Sequence, residues 1–222
     1  MKNQQTFVKD PYVKTVFATQ NELDDFLACC DPKTGYAHFM RNFFYIQHPT
    51  RGSMLYKPWD YQIELAENYH NYRFSVNLLS RQLGKTTTAA GYLLWYAMFI
   101  PDSTILIAAH KYAGAQEIMQ RIRYAYENCP MHIKAGVTTY NKGSLDFENG
   151  SRIVSATTTE NTGRGMSISL LYCLDGETTT VRIRNKITLL EEDITLKNLY
   201  TRLYSPEKVL DDEFGFVDEK DK

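Results

Sequence analysis

The tract Ser80-Arg81-Gln82-Leu83-Gly84-Lys85-Thr86-Thr87 sets a glycine, a lysine and two hydroxyls between an apolar segment, Phe74 to Leu79, and a helix-forming stretch. That order suits phosphate binding. Backbone N–H groups at a helix start face nucleotide phosphates, a lysine placed like Lys85 reaches the β and γ phosphates, and a hydroxyl placed like Thr86 contacts Mg²⁺. With Ser80, Gln82, Gly84 and Thr87, these residues form a candidate binding loop for ATP and Mg²⁺. Leu79 occupies the position where such loops usually begin with glycine, and a helix start with a solvated lysine is the plainer alternative. Arg81 lies inside the loop, close to the expected γ phosphate, where a guanidinium can stabilise developing charge; a solvent or backbone contact is its alternative. Gln62 follows Trp59-Asp60-Tyr61, and its two-way amide suits an adenine edge. The same spacing fits a helix-surface residue.

Strands and helices must position that loop. Asn21 to Leu27 reads as a short helix, and Ile63 to Tyr72 as a second one, with Pro58 just before its start. Phe74 to Leu79 has the profile of a buried strand, and Lys85 to about Phe99 that of a helix stopped at Pro101. Ser103 to Ala109 reads as a strand covered on both faces, and Ala113 to Tyr126 as the next helix. Val137 to Tyr140, Ser144 to Phe147 and Arg152 to Ala156 are short strands around the turn Glu148-Asn149-Gly150, and Ile168 to Tyr172 closes the series. Alternating strands and helices predict an α/β domain with a largely parallel sheet and flanking helices. Beyond Cys173 the alternation stops. Val181 to Arg184 and Lys186 to Leu189 read as strands, and Thr195 to Leu203 as a short helix.

Composition bounds the rest. The chain has 222 residues, 43% of them hydrophobic, enough for one large domain and a small appendage. No apolar run of about 18 residues occurs, and the first residues lack a signal core, so the expected setting is cytoplasmic, with no membrane partner. Cys29 and Cys30 are adjacent, Cys129 and Cys173 isolated, and no metal-binding spacing appears. Residues 1–172 carry 17 basic and 14 acidic groups, and residues 205–222 three basic and seven acidic, so charge separates an acidic tail from the rest.

The tracts Lys57-Pro58-Trp59-Asp60-Tyr61-Gln62, Leu79 to Thr87, Asn149-Gly150-Ser151, and Thr162-Gly163-Arg164-Gly165 ahead of Leu170-Leu171-Tyr172 resemble the large terminase subunits of tailed phages. The resemblance covers about residues 36–172. It implies a P-loop NTPase fold and a viral DNA-packaging motor with an N-terminal ATPase and a C-terminal nuclease of RNase H type. Gln62 then matches the family's glutamine motif, Lys85 its Walker A lysine and Arg81 its arginine-finger candidate. Implied partners are double-stranded DNA, the portal and the small terminase subunit, in the cytoplasm of an infected bacterium. The nuclease half and the coupling motif have no counterpart in these residues.

In that family the last strand reads Leu-Leu-Tyr, one variable residue, then Asp-Glu, the Walker B carboxylates. Here Asp175 falls one position late and Gly176 separates it from Glu177. A one-residue slip turns a side chain to the opposite face of a strand, so Asp175 needs a bulge to reach the metal. An irregular Walker B at Asp175 and a displaced copy at Leu210 to Val217 are alternatives. The tract Cys173-Leu174-Asp175-Gly176-Glu177-Thr178-Thr179-Thr180-Val181 is similar to the first block of an intein. That resemblance implies a small, incomplete all-β segment of Hint type, with Cys173 attacking the Tyr172 carbonyl to form a thioester. The plain alternative for Cys173 is a small buried hydrophobe. All five histidines precede Cys173, so the histidine and asparagine of later intein blocks must come from a complementary C-intein polypeptide, unless the gene is truncated. The expected organisation is an N-terminal extension (1–35), an ATPase fragment (36–172), an intein segment (173–204) and the acidic tail (205–222).

Overall fold

Thr19 accepts the Glu22 N–H and opens α1, Gln20–Cys30, which runs into α2, Gly35–Asn42. The aromatic stretch that follows folds into a small hairpin of β1, Tyr45–His48, and β2, Gly52–Leu55. After Pro58 comes α3, Asp60–Asn71, in which Gln62 takes the Trp59 N–H and so closes half of a capping box. The computed structural model describes residues 7–77, 79–80, 82–158, 162–163, 165–174, 180–184, 191–195 and 198. They fall into two units, one ending at Leu174 and one beginning at Asp175.

The first unit is built around α4, Lys85–Phe99. Its apolar run from Ala89 to Met98 is buried almost continuously, because α2, α3, α5 and β3 pack around it. Ile100 adopts the extended backbone that a following proline imposes, which ends the helix. Strand β3, Thr104–Ala109, then leads into α5, Tyr112–Asn128, and into β4, Val137–Tyr140, β5, Ser144–Phe147, β6, Arg152–Thr157, and β7, Leu170–Leu174. At the β5–β6 turn Asn149 donates its amide to the Ala97 and Met98 carbonyls at 3.0 and 3.1 Å, satisfying orphan acceptors at the end of α4. Ser151 does the same for Ile100 at 2.7 Å. Buried Lys9 and Lys134 reach backbone carbonyls and tie the leading segment to this unit, and burial lowers both pKa values.

The sheet order is β4-β5-β6-β3-β7. Central β3 is parallel to β6 and β7, whereas β4, β5 and β6 pair antiparallel. The sheet is therefore mixed and not largely parallel, because β4 to β6 are joined by tight turns, which only antiparallel neighbours allow. A second correction concerns Phe74 to Leu79, predicted as a buried strand. Its described residues form no strand, and Phe74 and Val76 are 74% and 52% exposed. An apolar run becomes a strand only beside a partner with open backbone groups, and no described strand pairs with this one.

The second unit contains an antiparallel pair, β8, Thr180–Arg184, and β9, Glu191–Thr195. β8 falls where a strand is predicted. The expected strand Lys186 to Leu189 lies outside the described residues, as do nearly all of the helix expected over Thr195 to Leu203 and the whole of the tail; Thr195 itself ends β9.

Candidate phosphate-binding loop

Gly84 is the N-cap of α4, with a left-handed φ of 77°, and no side chain caps the helix. Two residues earlier Gln82 is also left-handed, at φ 66°. A non-glycine residue in that region is strained, and such strain concentrates where backbone N–H groups are turned toward a ligand. The described loop thus ends on an uncapped helix N-terminus, the arrangement that favours an anion.

Lys85 folds back over the loop. Its Nζ donates to the Leu79 carbonyl at 2.7 Å and the Ser80 carbonyl at 3.1 Å, so the ammonium sits against the tract that carries the candidate site. Ser80 and Gln82 are exposed, and Thr86 and Thr87 are half-buried in the first turn of α4. Arg81 lies outside the described residues.

Gln62 is not on a helix surface. It is buried, and all of its amide is engaged. Oε1 accepts from the Tyr56 hydroxyl at 2.7 Å and from the Trp59 N–H at 3.0 Å, while Nε2 donates to the Leu83 carbonyl at 3.0 Å and the Tyr61 hydroxyl at 3.3 Å. Two acceptor lone pairs and two hydrogens are therefore spent, and a base edge can be read only by breaking one of these bonds. Tyr61 reinforces the link by donating to the same Leu83 carbonyl at 3.1 Å. Tyr56, whose hydroxyl also meets Thr88 Oγ1 at 2.8 Å, is pushed up to about 12 by burial, and so stays a neutral partner in the network. Sequence reasoning missed Tyr56, Tyr61 and Thr88.

It also missed Arg121, which lies in α5. Its Nη1 donates to Thr87 Oγ1 at 2.8 Å and its Nη2 to Glu117 at 2.7 Å, with Glu117 four residues earlier on the same helix. No local motif marks this arginine, because its loop partner is distant in sequence.

The geometry makes Gly84 a sensitive position. A Cβ there would meet Gln62 Nε2 at 2.5 Å, on a backbone that disfavours any side chain. Gly84→Ala is expected to cost about 1–2 kcal/mol in backbone strain and to weaken ATP binding about tenfold as the Gln62 link gives way. Thermal unfolding and ATP titration of the same protein check both parts; unaltered affinity would contradict the tie between Gln62 and the loop.

This loop lies inside a region with known relatives. Residues 76–176 match the family "Terminase large subunit, T4likevirus-type, N-terminal". The match takes in the loop, α4, α5 and the five-stranded sheet, and amounts to less than half of the chain. It runs through Cys173 and stops at Gly176.

At the far end of the match, Tyr172 and Cys173 stand in β7, opposite Ile107 and Ala108 in the parallel ladder with β3. Tyr172 packs edge-on against Tyr69 at 6.2 Å, and burial raises its pKa, opposed by a hydrogen bond with Tyr69. Cys173 is exposed, which corrects the reading of it as a buried small hydrophobe. Asp175, Glu177 and Leu210 to Val217 lie outside the described residues. No group of three or more metal-ligating side chains occurs among the described residues, and none of their helices is long and apolar enough to cross a membrane.

Proposed function

We propose that the first unit is the nucleotide-binding front of a phage DNA-packaging ATPase, and that Cys173 opens the N-terminal half of a split intein. The observation that carries the ATPase part is the left-handed loop ending on the uncapped α4, with Lys85 laid across it, inside the terminase match. ATP would supply the phosphoanhydride whose cleavage powers packaging, and Mg²⁺ would neutralise charge on its phosphates. Lys85, which donates to the Leu79 and Ser80 carbonyls, would hold the phosphates, Thr86 would hold the metal through its hydroxyl, and Gln62 holds the Leu83 carbonyl so that the N–H groups stay aligned. Arg81 is the candidate for the cleavage-stage charge. The assembled motor acts on double-stranded DNA with the portal and the small terminase subunit in the bacterial cytoplasm.

The intein part rests on Cys173 following the strand residues Leu170 to Tyr172, with Leu174 and Asp175 standing at the two positions where the resemblance places the Walker B pair Asp-Glu. The Cys173 thiolate attacks the Tyr172 carbonyl, the Tyr172–Cys173 C–N bond breaks, and the nitrogen takes a proton, leaving a thioester and a free amine. A partner chain supplies the remaining intein blocks and an extein that begins with Cys, Ser or Thr followed by Asp-Glu. The side chain of its first residue takes over the acyl group and releases the Cys173 thiol, the asparagine of the partner's intein half cyclises and breaks the peptide before that residue, and an acyl shift to the freed amine joins Tyr172 to the extein, which completes β7 with the two carboxylates. The acidic tail steers association toward a basic partner segment. Because the scissile peptide lies within the β3–β7 ladder, the chain alone is expected to hold it intact.

One observation favours a second reading: the terminase match continues over Asp175, as an irregular Walker B without splicing requires. Mixing the chain with its complementary half and following mass separates the two. A ligated product carrying residues 1–172, lost in Cys173→Ala, supports splicing. Unchanged mass, together with ATP hydrolysis by the chain alone that Asp175→Asn abolishes, supports the irregular site instead.

A further inference from the structure

Tyr69, in the last turn of α3, meets the Tyr172 ring edge-on at 6.2 Å, donates its hydroxyl to the Tyr172 oxygen, and also meets Tyr92 of α4 at 5.7 Å. We propose that Tyr69 is a positioning residue for the splice junction. It clamps the peptide between Tyr172 and Cys173 in the β3–β7 ladder, so that acyl transfer to the Cys173 thiol waits until the complementary intein half has paired with the chain that follows. The proposal rests on the intein reading of Cys173.

The geometry of the attack is the first argument. Ladder pairs run from Ile105 with Leu170 to Ala109 with Leu174, so the scissile peptide has paired residues on both sides. Side chains alternate along the strand: Leu171 and Cys173 are exposed, whereas Tyr172 packs against the core. The thiol and the phenol that flank the peptide thus lie on opposite faces. When Sγ bonds to the Tyr172 carbonyl carbon, a five-membered ring closes, the carbon becomes tetrahedral and the amide loses its planarity. The C–N bond then breaks and the thiol proton passes to the nitrogen. None of this fits a flat, extended strand. The Tyr172 backbone must leave its line, and a side chain fixed on the far face opposes that movement.

The support behind Tyr69 is the second. Gln62 and Tyr61, in the first turn of the same helix, both donate to the Leu83 carbonyl, so α3 is tied down at the end remote from the junction as well. The hydroxyls are the third. Ring packing alone needs none, yet burial raises the pKa of both phenols and they spend a hydrogen bond on each other. Loss of either hydroxyl weakens the clamped state and opens no cavity in the rings, which separates the clamp from the fold.

The test mixes the full chain with a polypeptide that carries the later intein blocks, their histidine and asparagine included, followed by an extein beginning Ser-Asp-Glu. Ligation of residues 1–172 is timed by mass. Tyr69→Phe is expected to raise the ligation rate about fivefold, the effect of one modest hydrogen bond on a barrier. Tyr172→Phe removes the same bond from the other side and is expected to gain as much, with no further gain when the two are combined. Tyr126→Phe removes a hydroxyl that donates to the Ala135 carbonyl at 2.7 Å, beside β4 and β5 and away from β7, and is expected to leave the rate unchanged. That variant tells general loosening from release of the clamp. If the unaltered chain ligates and Tyr69→Phe is no faster, or Tyr126→Phe gains as much, or the two phenylalanine gains multiply, the clamp is overturned and splicing stands. If neither the unaltered chain nor any variant ligates, the intein reading of Cys173 fails and takes the clamp with it.

Discussion

Lys85→Ala is expected to lower ATP affinity about a hundredfold, the equivalent of one strong charge-assisted hydrogen bond at roughly 1.5–3 kcal/mol. In the loop as folded, the ammonium is held by the Leu79 and Ser80 carbonyls, so its transfer to phosphate exchanges two neutral acceptors for charged ones. Lys85→Met, which keeps the stem and removes the charge, is expected to lose as much as alanine. Lys85→Arg restores charge but replaces a compact three-donor head with a planar fork, and recovers little. Stability moves less, because Lys85 is only half-buried and its carbonyl partners can turn to water. Titration of ATP against each variant, with thermal unfolding in parallel, checks the pattern. Affinity within threefold of the unaltered chain for Lys85→Met would place the phosphates elsewhere.

The same loop shows how far letters alone lead. The helix α4 is legible because Gly84 and Pro101 bound it, one as its left-handed N-cap and the other just past its end. The strands β3, β4 and β5 fall where apolar and alternating runs place them. Phe74 to Leu79 misleads because burial of a strand depends on a neighbour in the sheet, which a local pattern cannot carry. The acidic run that opens β9, Glu191-Glu192-Asp193, is poor in strand formers and hides that strand, although its backbone register runs from Glu191 opposite Arg184 to Thr195 opposite Thr180. The contacts of Gln62 and the role of Arg121 are hidden for another reason. Each acts on the loop from a separate helix, through a contact that only the packing of α3 and α5 on α4 creates.

Trp95→Ala is expected to be the most damaging single change to the first unit, costing about 3–5 kcal/mol as a large aromatic is removed from a closed core. Trp95 is wholly buried on α4, touches Tyr36, His70 and Tyr92 with ring centroids within 5.8 Å, and donates Nε1–H to the Cys29 carbonyl at 2.8 Å. It therefore binds the helix that carries the candidate loop to the end of α1. Trp95→Phe keeps much of the ring burial but leaves the Cys29 carbonyl without its donor, an omission worth about 1–3 kcal/mol. The expected order of stability is unaltered chain, phenylalanine, alanine. Trp59, the other tryptophan, is 71% exposed, and Trp59→Phe should change stability by less than about 0.5 kcal/mol. That variant leaves Trp95 as the sole indole reporter of unfolding. Urea titrations should show midpoints falling in the stated order with an unchanged slope. A Trp95→Ala midpoint equal to that of Trp59→Phe would mean that α1 and α4 are not joined through this ring.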